Sequence, residues 1–272
     1  MTKTKDFTSR FGFHGVPFTC EIRNQDRYVN DIYETPVNHL YRTVDKRMCG
    51  ALIAPAGTGK TAVLRALIDR LPEARYRVHY VKVTDLSKRD MCREIATVTG
   101  IEPAGIYPAL VKRLQEHYST SLAVDGLRPV LILDEAHDIR PDVLAIMRIL
   151  TNFDMDNRLV VSIVLTGQPP LSKLLKHPSL EAVTHRLALC ATLRPLSRPE
   201  TVQYVEHRCR IAGASSCPLD DGAMQALYEV GRGNLRATDQ LSLKSLETAH
   251  DQDCDAVDSN HVAEARRRLW PA

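Results

Sequence analysis

The amino-acid sequence predicts an α/β fold, a parallel sheet flanked by helices, followed by a small α-helical domain. Between residues 48 and 195, strand patterns alternate with helical patterns, which is typical of a doubly wound sheet with right-handed crossovers. From Arg198 onwards only helical spacing is found. We therefore divide the chain into an N-terminal arm and linker helix (1–47), an α/β domain (48–195) and a helical domain with a C-terminal tail (196–272).

Five strands are predicted from short apolar or alternating runs. The run at residues 130–133 is wholly apolar, as expected of a strand buried on both faces of a parallel sheet. The predicted strands lie at residues 49–53, 77–83, 130–133, 158–165 and 188–193. Helices are predicted where apolar residues recur every three to four positions. The predicted helices lie at residues 30–47, 62–69, 91–98, 109–117, 142–150, 200–212, 220–230, 235–249 and 261–269.

An aromatic segment precedes the first predicted helix. Residues 11–18 read Phe-Gly-Phe-His-Gly-Val-Pro-Phe, and their glycines and proline exclude a long helix. We expect this segment to pack as an arm across a neighbour. The helix at residues 30–47 is predicted despite Pro36, because its apolar spacing continues on both sides of the proline.

The composition is that of an ordinary globular protein. The 272 residues are 44% hydrophobic, which is enough for a substantial core. The 36 Lys and Arg residues against 33 Asp and Glu give a net charge of +3, too small to indicate or exclude a nucleic-acid partner. No apolar run approaches the roughly 20 residues that a membrane-spanning helix needs, so we predict no membrane segment.

The cysteines and the start of the chain bear on the compartment. The seven cysteines are odd in number and include no Cys-x-x-Cys pair. The chain begins Met-Thr-Lys-Thr-Lys, without an apolar signal region. We therefore expect reduced thiols in a cytoplasmic protein.

Residues 54–61, Ala-Pro-Ala-Gly-Thr-Gly-Lys-Thr, lie between the first predicted strand and a predicted helix. Backbone N–H groups at a glycine-rich turn and a helix N-terminus converge on phosphate oxygens, so the segment predicts a phosphate-binding loop. In such loops the Lys60 position reaches the β- and γ-phosphates, and the Thr61 position supplies a hydroxyl to Mg²⁺. The residues predicted to contact the nucleotide are Pro55, Ala56, Gly57, Thr58, Gly59, Lys60, Thr61 and Ala62.

Ala54 departs from the glycine that usually begins this loop pattern. A Cβ is tolerable at this position if φ stays negative. The alternative interpretation of the segment is a glycine-rich strand-to-helix turn that ends in Lys-Thr by chance. The flanking strand and helix favour the phosphate loop, because they are the context that the motif requires.

The apolar run at residues 130–133 ends in Asp134 and Glu135. Downstream of a phosphate loop, one carboxylate here is suited to hold Mg²⁺ through its water shell, and a second to act as general base on the attacking water. We predict the first role for Asp134 and the second for Glu135. The alternative is a pair of solvated acids at a strand end. For His137 and Asp138 we expect a capping or surface role.

Together these motifs resemble those of an AAA+ ATPase. The Gly-Thr-Gly-Lys-Thr loop, Leu-Asp-Glu-Ala-His, Leu-Thr-Gly-Gln-Pro-Pro-Leu and Gly-Asn-Leu-Arg follow in the family's order within residues 11–250. The Gly-Gln-Pro turn and the Phe-Gly-Phe start narrow the resemblance to the ExeA-like and TnsC/TniB/MuB/IstB-like group, which contains ATP-dependent regulators of DNA transposition. The resemblance implies a P-loop NTPase (AAA+) sheet with a helical lid from residue 196, ATP and Mg²⁺ as cofactors, and ATP hydrolysis.

The resemblance also implies roles for residues outside the two motifs. Gln168, after the fourth strand, matches the sensor of the γ-phosphate, with Thr166 as its competitor for that role. Arg236 of Gly-Asn-Leu-Arg matches the second sensor, which reaches from the lid to the nucleotide. Arg186 resembles the arginine that a neighbouring subunit inserts into the site, a task suited to its charge and forked donors. Either arginine could instead be an ordinary surface residue.

An arginine supplied by a neighbour implies a homo-oligomer, and members of this group form rings or helical filaments around duplex DNA. Basic residues at the inner rim would then contact phosphates without reading sequence. Lys88 and Arg89 are the first candidates and Lys112 and Arg113 the next, with a solvated helix face as the alternative for each. The basic run at residues 266–268 could contact DNA or a transposase, or be solvated.

The leading hypothesis is a cytoplasmic, Mg²⁺-dependent ATPase that assembles on duplex DNA in the ATP state and recruits or activates a transposase at target DNA. Three alternatives stay open. An ExeA-type secretion ATPase is expected to carry a membrane segment and a cell-wall-binding region, and the sequence ends shortly after the lid. A helicase-loader-like replication ATPase has a similar core. An ATP-gated scaffold with little hydrolysis is the third, and Glu135 argues against it.

Overall fold

The computed structural model describes residues 6–155 and 157–269. The chain forms two compact units. One is Asp31–Leu193, which contains the sheet, and the other joins the described residues up to Asn30 to those from Arg194 onwards. The first 47 residues are therefore divided after Asn30: the linker helix belongs to the sheet unit, and the segment before it belongs to the helical unit.

Within the described residues the sheet has five parallel strands in the order β2-β3-β4-β1-β5. The strands are β1 (Cys49–Ile53), β2 (Tyr76–Lys82), β3 (Arg128–Asp134), β4 (Ser162–Gly167) and β5 (Leu187–Thr192). Strands β3 and β4 are inner strands and are buried almost throughout. Because helices cover both faces of an inner parallel strand, an unbroken apolar run is the pattern such a strand needs. The predicted α/β architecture is confirmed.

The helices alternate with the strands in the sheet unit and follow one another in the C-terminal part. They are α1 (Phe7–Phe11), α2 (Asp31–Asp45), α3 (Lys60–Asp69), α4 (Lys88–Thr99), α5 (Tyr107–Ala123), α6 (Pro141–Leu144), α7 (Ile146–Leu150), α8 (Pro170–Leu175), α9 (Glu181–Thr184), α10 (Arg198–Ile211), α11 (Asp221–Gly231), α12 (Leu235–Asp251) and α13 (Ser259–Leu269). Among the residues that the structure describes, no helix has both the length and the hydrophobicity of a membrane span. All seven cysteines are free thiols.

Two predicted elements differ from those observed. The helix predicted at residues 142–150 is interrupted at Ala145, whose ψ of −17° departs from regular helix geometry, and α6 and α7 lie on either side of it. The fourth strand begins at Ser162, not at residue 158. Val160 and Val161 are buried without pairing as a strand, so their hydrophobicity reflects the core.

The carboxyl ends of the strands meet at one edge of the sheet. Ile53 of β1 pairs with Gly167 of β4, and Leu133 of β3 pairs with Leu165 of β4. The segments that follow β1, β4 and β3 therefore lie side by side. In open α/β sheets, ligands bind in the crevice outside this edge. The topology thus brings the glycine-rich loop and the acid pair together.

The helical unit has well-capped helices. Ser197 and Glu200 form a reciprocal capping box at the start of α10. Asp220 and Asn234 are the N-cap residues of α11 and α12, and each side chain accepts a hydrogen bond from a backbone N–H in the first turn. The C-terminal helices are present as the sequence predicts.

The aromatic segment at residues 11–18 does not form an arm across a neighbour, and that expectation is wrong. Its three phenylalanines are 5–6% exposed within this chain: Phe11, Phe13 and Phe18. His14 N donates to Ala212 O at 2.7 Å, which ties the segment to the end of α10. Burying three aromatic rings is strongly favourable, and the chain's own helical unit provides the surface for it.

Candidate functional site

The loop between β1 and α3 has the backbone geometry of an anion-binding turn. Gly57 (φ 74°) and Gly59 (φ 100°) have positive φ, which allows successive backbone N–H groups to converge on one side. Helix α3 begins at Lys60, and Val63 N donates to Gly59 O at 3.1 Å in its first turn. The N-terminus of this 10-residue helix adds a partial positive charge at the same place.

Ala54 fits the first position of the loop. It is fully buried, its φ is not positive, and its N–H donates to Gly167 O at 3.0 Å. The condition for a Cβ at this position is met. Thr58 is buried as well, and its hydroxyl donates to Pro55 O at 2.8 Å. This bond links the two sides of the loop and holds it in its turn.

Lys60 connects the loop to the acid pair. Its Nζ lies 3.3 Å from Asp134 Oδ1 and 2.8 Å from Glu135 Oε2. The side chains of Lys60 and Asp134 are only 10% and 7% exposed. Charges in such a setting are screened less than surface charges. The residues that the sequence analysis selects for phosphate, metal and water thus lie in direct contact.

Asp134 is fixed by hydrogen bonds from three directions. Tyr80 Oη donates to its Oδ2 at 2.8 Å, the Thr166 hydroxyl donates to its Oδ1, and Glu135 N donates to Oδ1 at 2.9 Å. Burial alone raises the pKa of Asp134, but the bonds from Thr166 and Tyr80 and the charge of Lys60 outweigh it and lower the pKa below its ordinary value. Asp134 is therefore ionised at neutral pH.

Tyr80 is a site residue that sequence reasoning missed. It lies on β2, where its side chain is 44% exposed although the strand is paired along its length. Burial of the hydroxyl and its bond to the Asp134 carboxylate raise the pKa of Tyr80, so the phenol stays protonated and donates. The available signal was an aromatic residue at an outward position near the carboxyl end of a strand.

His137 lies within the site, so a surface role is wrong for this residue. It is 11% exposed, its Nδ1 lies 3.5 Å from Glu135 Oε2, and Gln168 N approaches the same nitrogen at 3.4 Å. His137 therefore contacts both the predicted base and the turn after β4. Asp138 is 58% exposed, in keeping with the surface role expected for it.

The structure gives the two candidate γ-phosphate sensors different surroundings. Thr166 is fully buried, and its hydroxyl donates a hydrogen bond to Asp134. Gln168 follows β4 directly and is partly exposed at the carboxyl edge of the sheet. A partly exposed amide can reach a ligand, whereas the buried hydroxyl is already engaged. Gln168 therefore stays the better candidate for the sensor.

Arg186 lies at the opposite edge of the sheet from the phosphate loop. It precedes β5, whose first residue Leu187 pairs with Cys49 at the start of β1. Its guanidinium donates to Ala182 O at 3.1 Å. Burial raises the pKa of the Cys49 thiol to about 11, and the charge of Arg186 partly opposes that rise. The phosphate loop follows the other end of β1. Any role of Arg186 in catalysis thus requires the site of another subunit.

Arg236 belongs to the helical unit and is exposed in the first turn of α12. The two residues at the start of its Gly-Asn-Leu-Arg motif are explained by the local structure. Gly233 has φ 73°, and a Cβ there would lie 1.9 Å from Leu196 O. Asn234 caps the helix. No such reason accounts for the arginine, and its role as second sensor stays a prediction.

The DNA candidates lie on two helices of the sheet unit. Lys88 Nζ is 3.7 Å from an Asp142 carboxylate oxygen, and Arg89 is exposed beside it at the start of α4. Lys112 is 79% exposed on α5. Arg113 instead donates to Glu102 O at 3.1 Å and to Ala104 O, so it holds the loop before α5. Contact of these four with DNA stays a prediction.

The site thus combines a glycine-rich loop, a lysine that contacts two acids, and a polar turn after β4, all at one edge of a parallel sheet. Residues 42–175 match a family model described as an AAA domain. This stretch of the chain is therefore similar to AAA domains. The match extends from α2 through α8, so it includes the loop, the acid pair and the turn after β4.

A relative over most of the chain is the General secretion pathway protein A of Aeromonas hydrophila. The two are 30% identical over 231 residues, an alignment that covers 84% of this chain and 42% of that protein. The chain thus spans less than half the length of this relative. The similarity extends beyond the AAA domain into the C-terminal helices, because residues 42–175 alone could not supply so long an alignment.

Solved structures share the fold at low identity. Cdc6p from Pyrobaculum aerophilum has a TM-score of 0.74 at 17% identity, over 97% of this chain and 72% of that one. The ORC1 protein of Aeropyrum pernix, solved in complex with DNA, has a TM-score of 0.65 at 20% identity, over 90% of this chain and 66% of that one. The RuvB Holliday junction branch migration motor of Thermotoga maritima has a TM-score of 0.59 at 16% identity, over 89% of this chain and 70% of that one. These likenesses establish the AAA+ P-loop fold and nothing finer.

Proposed function

We propose that the protein is a Mg²⁺-dependent ATPase that oligomerises on duplex DNA in its ATP state and regulates transposition by recruiting or activating a transposase at target DNA. The observation that carries the ATPase part is the contact of Lys60 with both Asp134 and Glu135 beside the glycine-rich loop. This contact supports the proposal, because the side chains proposed for phosphate, metal and water lie within one small volume.

The site residues fit a magnesium–nucleotide complex. Magnesium prefers oxygen ligands, and the site offers the ionised carboxylate of Asp134 and the exposed first-turn hydroxyl of Thr61. These two residues would hold the ion. Mg²⁺ neutralises charge on the phosphate oxygens that it binds. The loop and Lys60 would bind the phosphates themselves, through backbone N–H groups and a charge-assisted hydrogen bond.

Lys60 also links binding to catalysis. In the structure its ammonium pairs with Glu135. A triphosphate in the loop attracts the same ammonium, which weakens its hold on the carboxylate. Glu135 can then accept the proton of a water molecule as that water attacks the γ-phosphate. His137, which contacts Glu135 and the turn at Gln168, helps to keep the base and the sensor in register.

The position of Arg186 supports the oligomerisation part of the proposal. This arginine precedes β5 at the amino edge of the sheet, while the phosphate loop follows β1 at the carboxyl edge. An arginine stabilises the charge that develops on a transferred phosphoryl group. Its place in this fold supports insertion into a neighbouring subunit's site, so ATP hydrolysis would require assembly.

The DNA and transposition parts rest on the motif resemblance. A fold relative, the ORC1 protein, was solved in complex with DNA, so a chain of this fold can bind DNA. The exposed basic side chains of Arg89 and Lys112 supply charge for phosphate contacts.

One observation favours a second candidate function. The 30% identity over 231 residues connects the chain to a protein named for the general secretion pathway. The same ATPase core would then act in secretion, and duplex DNA would be neither a scaffold nor a stimulant. A helicase-loader-like role or an ATP-gated scaffold would share the nucleotide site, so these alternatives differ from the main proposal in partner or in hydrolysis rate.

The test combines a base variant with a DNA-dependence measurement. Glu135→Gln should bind ATP, fail to hydrolyse it and accumulate as an oligomer on duplex DNA, seen by light scattering and electron microscopy. Glu229→Gln, which changes an exposed glutamate on α11, is the matched control and should behave as wild type. Assembly should need ATP and decrease steeply with salt. Hydrolysis that is unaffected by Glu135→Gln would refute the base, and DNA-independent assembly would favour the secretion candidate.

A further inference from the structure

The Asp134 carboxylate is held from both neighbouring strands. Strands β2 and β4 flank β3 in the sheet, and each contributes one hydroxyl. Tyr80 of β2 donates to Oδ2 at 2.8 Å, and Thr166 of β4 donates to Oδ1. With a hydroxyl donor on each oxygen, the plane of the carboxylate is fixed and its rotation about the Cβ–Cγ bond is restricted.

The two oxygens of Asp134 are unequally engaged. Oδ1 accepts from the Thr166 hydroxyl and from Glu135 N, and it lies 3.3 Å from Lys60 Nζ. Among the described residues, Oδ2 accepts its hydrogen bond from Tyr80. A carboxylate oxygen can accept at two lone pairs. Oδ2 therefore retains acceptor capacity for a further ligand, and Tyr80 determines the direction in which that capacity points.

The hydroxyl of Tyr80 is not needed to keep β2 in the sheet. Strand β2 pairs with β3 over its full length, from Tyr76 opposite Arg128 to Lys82 opposite Asp134. Tyr80 is also 44% exposed as a residue and is not among the buried core residues. The hydrogen bond to Asp134 is then the interaction for which the hydroxyl is required.

We propose that Tyr80 is a positioning residue of the magnesium–nucleotide site, whose hydroxyl orients Asp134 so that Oδ2 faces the metal and its water shell. This inference rests on the proposed function, because it requires that Asp134 holds Mg²⁺. Removing the hydrogen-bond partner of a metal-binding side chain typically weakens metal affinity by about 10- to 100-fold. Tyr80 acts through Asp134 and is not itself a catalytic residue.

The structure provides a matched control on the same strand. Tyr76 donates to Asp45 Oδ1 at 2.7 Å. Tyr76→Phe therefore removes the same kind of bond, from tyrosine hydroxyl to aspartate, but at the opposite end of β2 from Asp134. Tyr80→Phe keeps the ring and its packing, so both variants should fold, which thermal melts can verify.

The experiment measures metal affinity directly. Mn²⁺ replaces Mg²⁺, and its binding to the protein with a non-hydrolysable ATP analogue is followed by electron paramagnetic resonance. Tyr80→Phe should weaken Mn²⁺ binding by about tenfold. Its affinity for the analogue in EDTA should equal that of wild type. The Mg²⁺ concentration for half-maximal hydrolysis should rise in the same proportion, and Tyr76→Phe should change neither quantity.

The outcomes separate this inference from the proposed function. A Tyr80→Phe protein whose Mn²⁺ affinity stays within twofold of wild type would overturn the positioning role. Equal losses in Tyr80→Phe and Tyr76→Phe would also overturn it, because they would indicate a general effect on the strand. If the wild type binds no Mn²⁺ with the analogue, the proposed function itself fails.

Discussion

Lys60 Nζ lies 2.8 Å from Glu135 Oε2, so the lysine of the phosphate loop pairs with the carboxylate proposed to activate water. A cation so close to a carboxylate competes for its lone pairs. On the proposed function, nucleotide binding relieves that competition. On that proposal, the ion pair links occupancy of the loop to availability of the base.

The first prediction concerns nucleotide binding. Lys60→Ala should weaken ATP binding by at least about tenfold, because hydrogen bonds to charged groups contribute roughly 1.5–3 kcal/mol each. Equilibrium titration with a fluorescent ATP analogue measures the effect. Lys112→Ala, which changes a 79% exposed lysine, serves as the control. Wild-type affinity in the Lys60 variant would remove the phosphate-loop assignment.

The second prediction concerns Arg186. Arg186→Ala should bind ATP normally but hydrolyse it at least about a hundredfold more slowly, since such arginines contribute roughly 10³–10⁵ in rate. A mixture of the Arg186→Ala and Lys60→Ala proteins should regain activity, because one supplies an intact loop and the other an intact arginine. Steady-state phosphate release measures both, with Arg158→Ala as an exposed control. An inactive mixture would argue against sharing of the site.

The third prediction concerns acid stability. Glu200 receives hydrogen bonds from Arg194 and from Ser197, and chiefly the Arg194 bond lowers the Glu200 pKa from 4.5 to about 2. Because the folded-state pKa is depressed, this stabilisation is complete above pH 4.5 and is lost as the pH falls towards 2. Glu200→Gln should cost about 1–2 kcal/mol at pH 7, after discounting for solvent screening.

Melting temperatures of wild type and Glu200→Gln across pH 7 to 3 measure this effect. The difference between the two should shrink below about pH 4.5, because Glu200 then takes up a proton in the unfolded chain before it does so in the folded one. Glu229→Gln, an exposed change on α11, is the control and should show no such difference. A constant difference at all pH values would mean that the charge of Glu200 is not involved.

The fourth prediction concerns the anchoring of the N-terminal segment. Arg208 is 2% exposed, donates to Thr19 O at 2.7 Å and to Asp239 Oδ2 at 2.8 Å, and lies over the Phe18 ring. Arg208→Met should cost about 3–5 kcal/mol, because the largely buried Asp239 carboxylate loses its cationic partner and keeps only hydrogen bonds such as those from the Tyr204 hydroxyl. Urea unfolding measures the loss.

A second substitution shows where that cost comes from. Arg208→Met with Asp239→Asn should be less destabilised than Arg208→Met alone, since the unpaired charge is gone. Arg210→Met, on the exposed side of α10, should stay close to wild type. A double variant as unstable as the single one would assign the cost to packing and to the Thr19 bond instead.

Local motifs made much of the site predictable. The loop at residues 54–61 and the acids Asp134 and Glu135 are recognisable because each depends on a few consecutive residues and on the strand before them. Gly57 and Gly59 occur where positive φ is needed, and Lys60 starts the helix as expected. The five parallel strands were predictable in the same way, because apolar runs and the alternation of apolar and polar residues mark strands in the sequence.

Contacts between distant segments were not predictable in the same way. Tyr80 and Thr166 reach Asp134 only because β2 and β4 are its neighbours in the sheet, and no local pattern states that order. His137 looked like a surface residue until the turn after β4 was seen to cover it. The aromatic segment at residues 11–18 was misjudged for the same reason, because its partner surface lies at the far end of the chain.

The sequence by itself determined the fold class, the phosphate loop and the acid pair, because these depend on backbone preferences and hydrophobic periodicity within short stretches. Only the tertiary structure decided which side chains surround Asp134, where the phenylalanines are buried, and that Arg186 lies at the edge of the sheet remote from the loop. Those facts depend on strand order and register, and hydrogen bonds between residues far apart in the chain form only after that order is set.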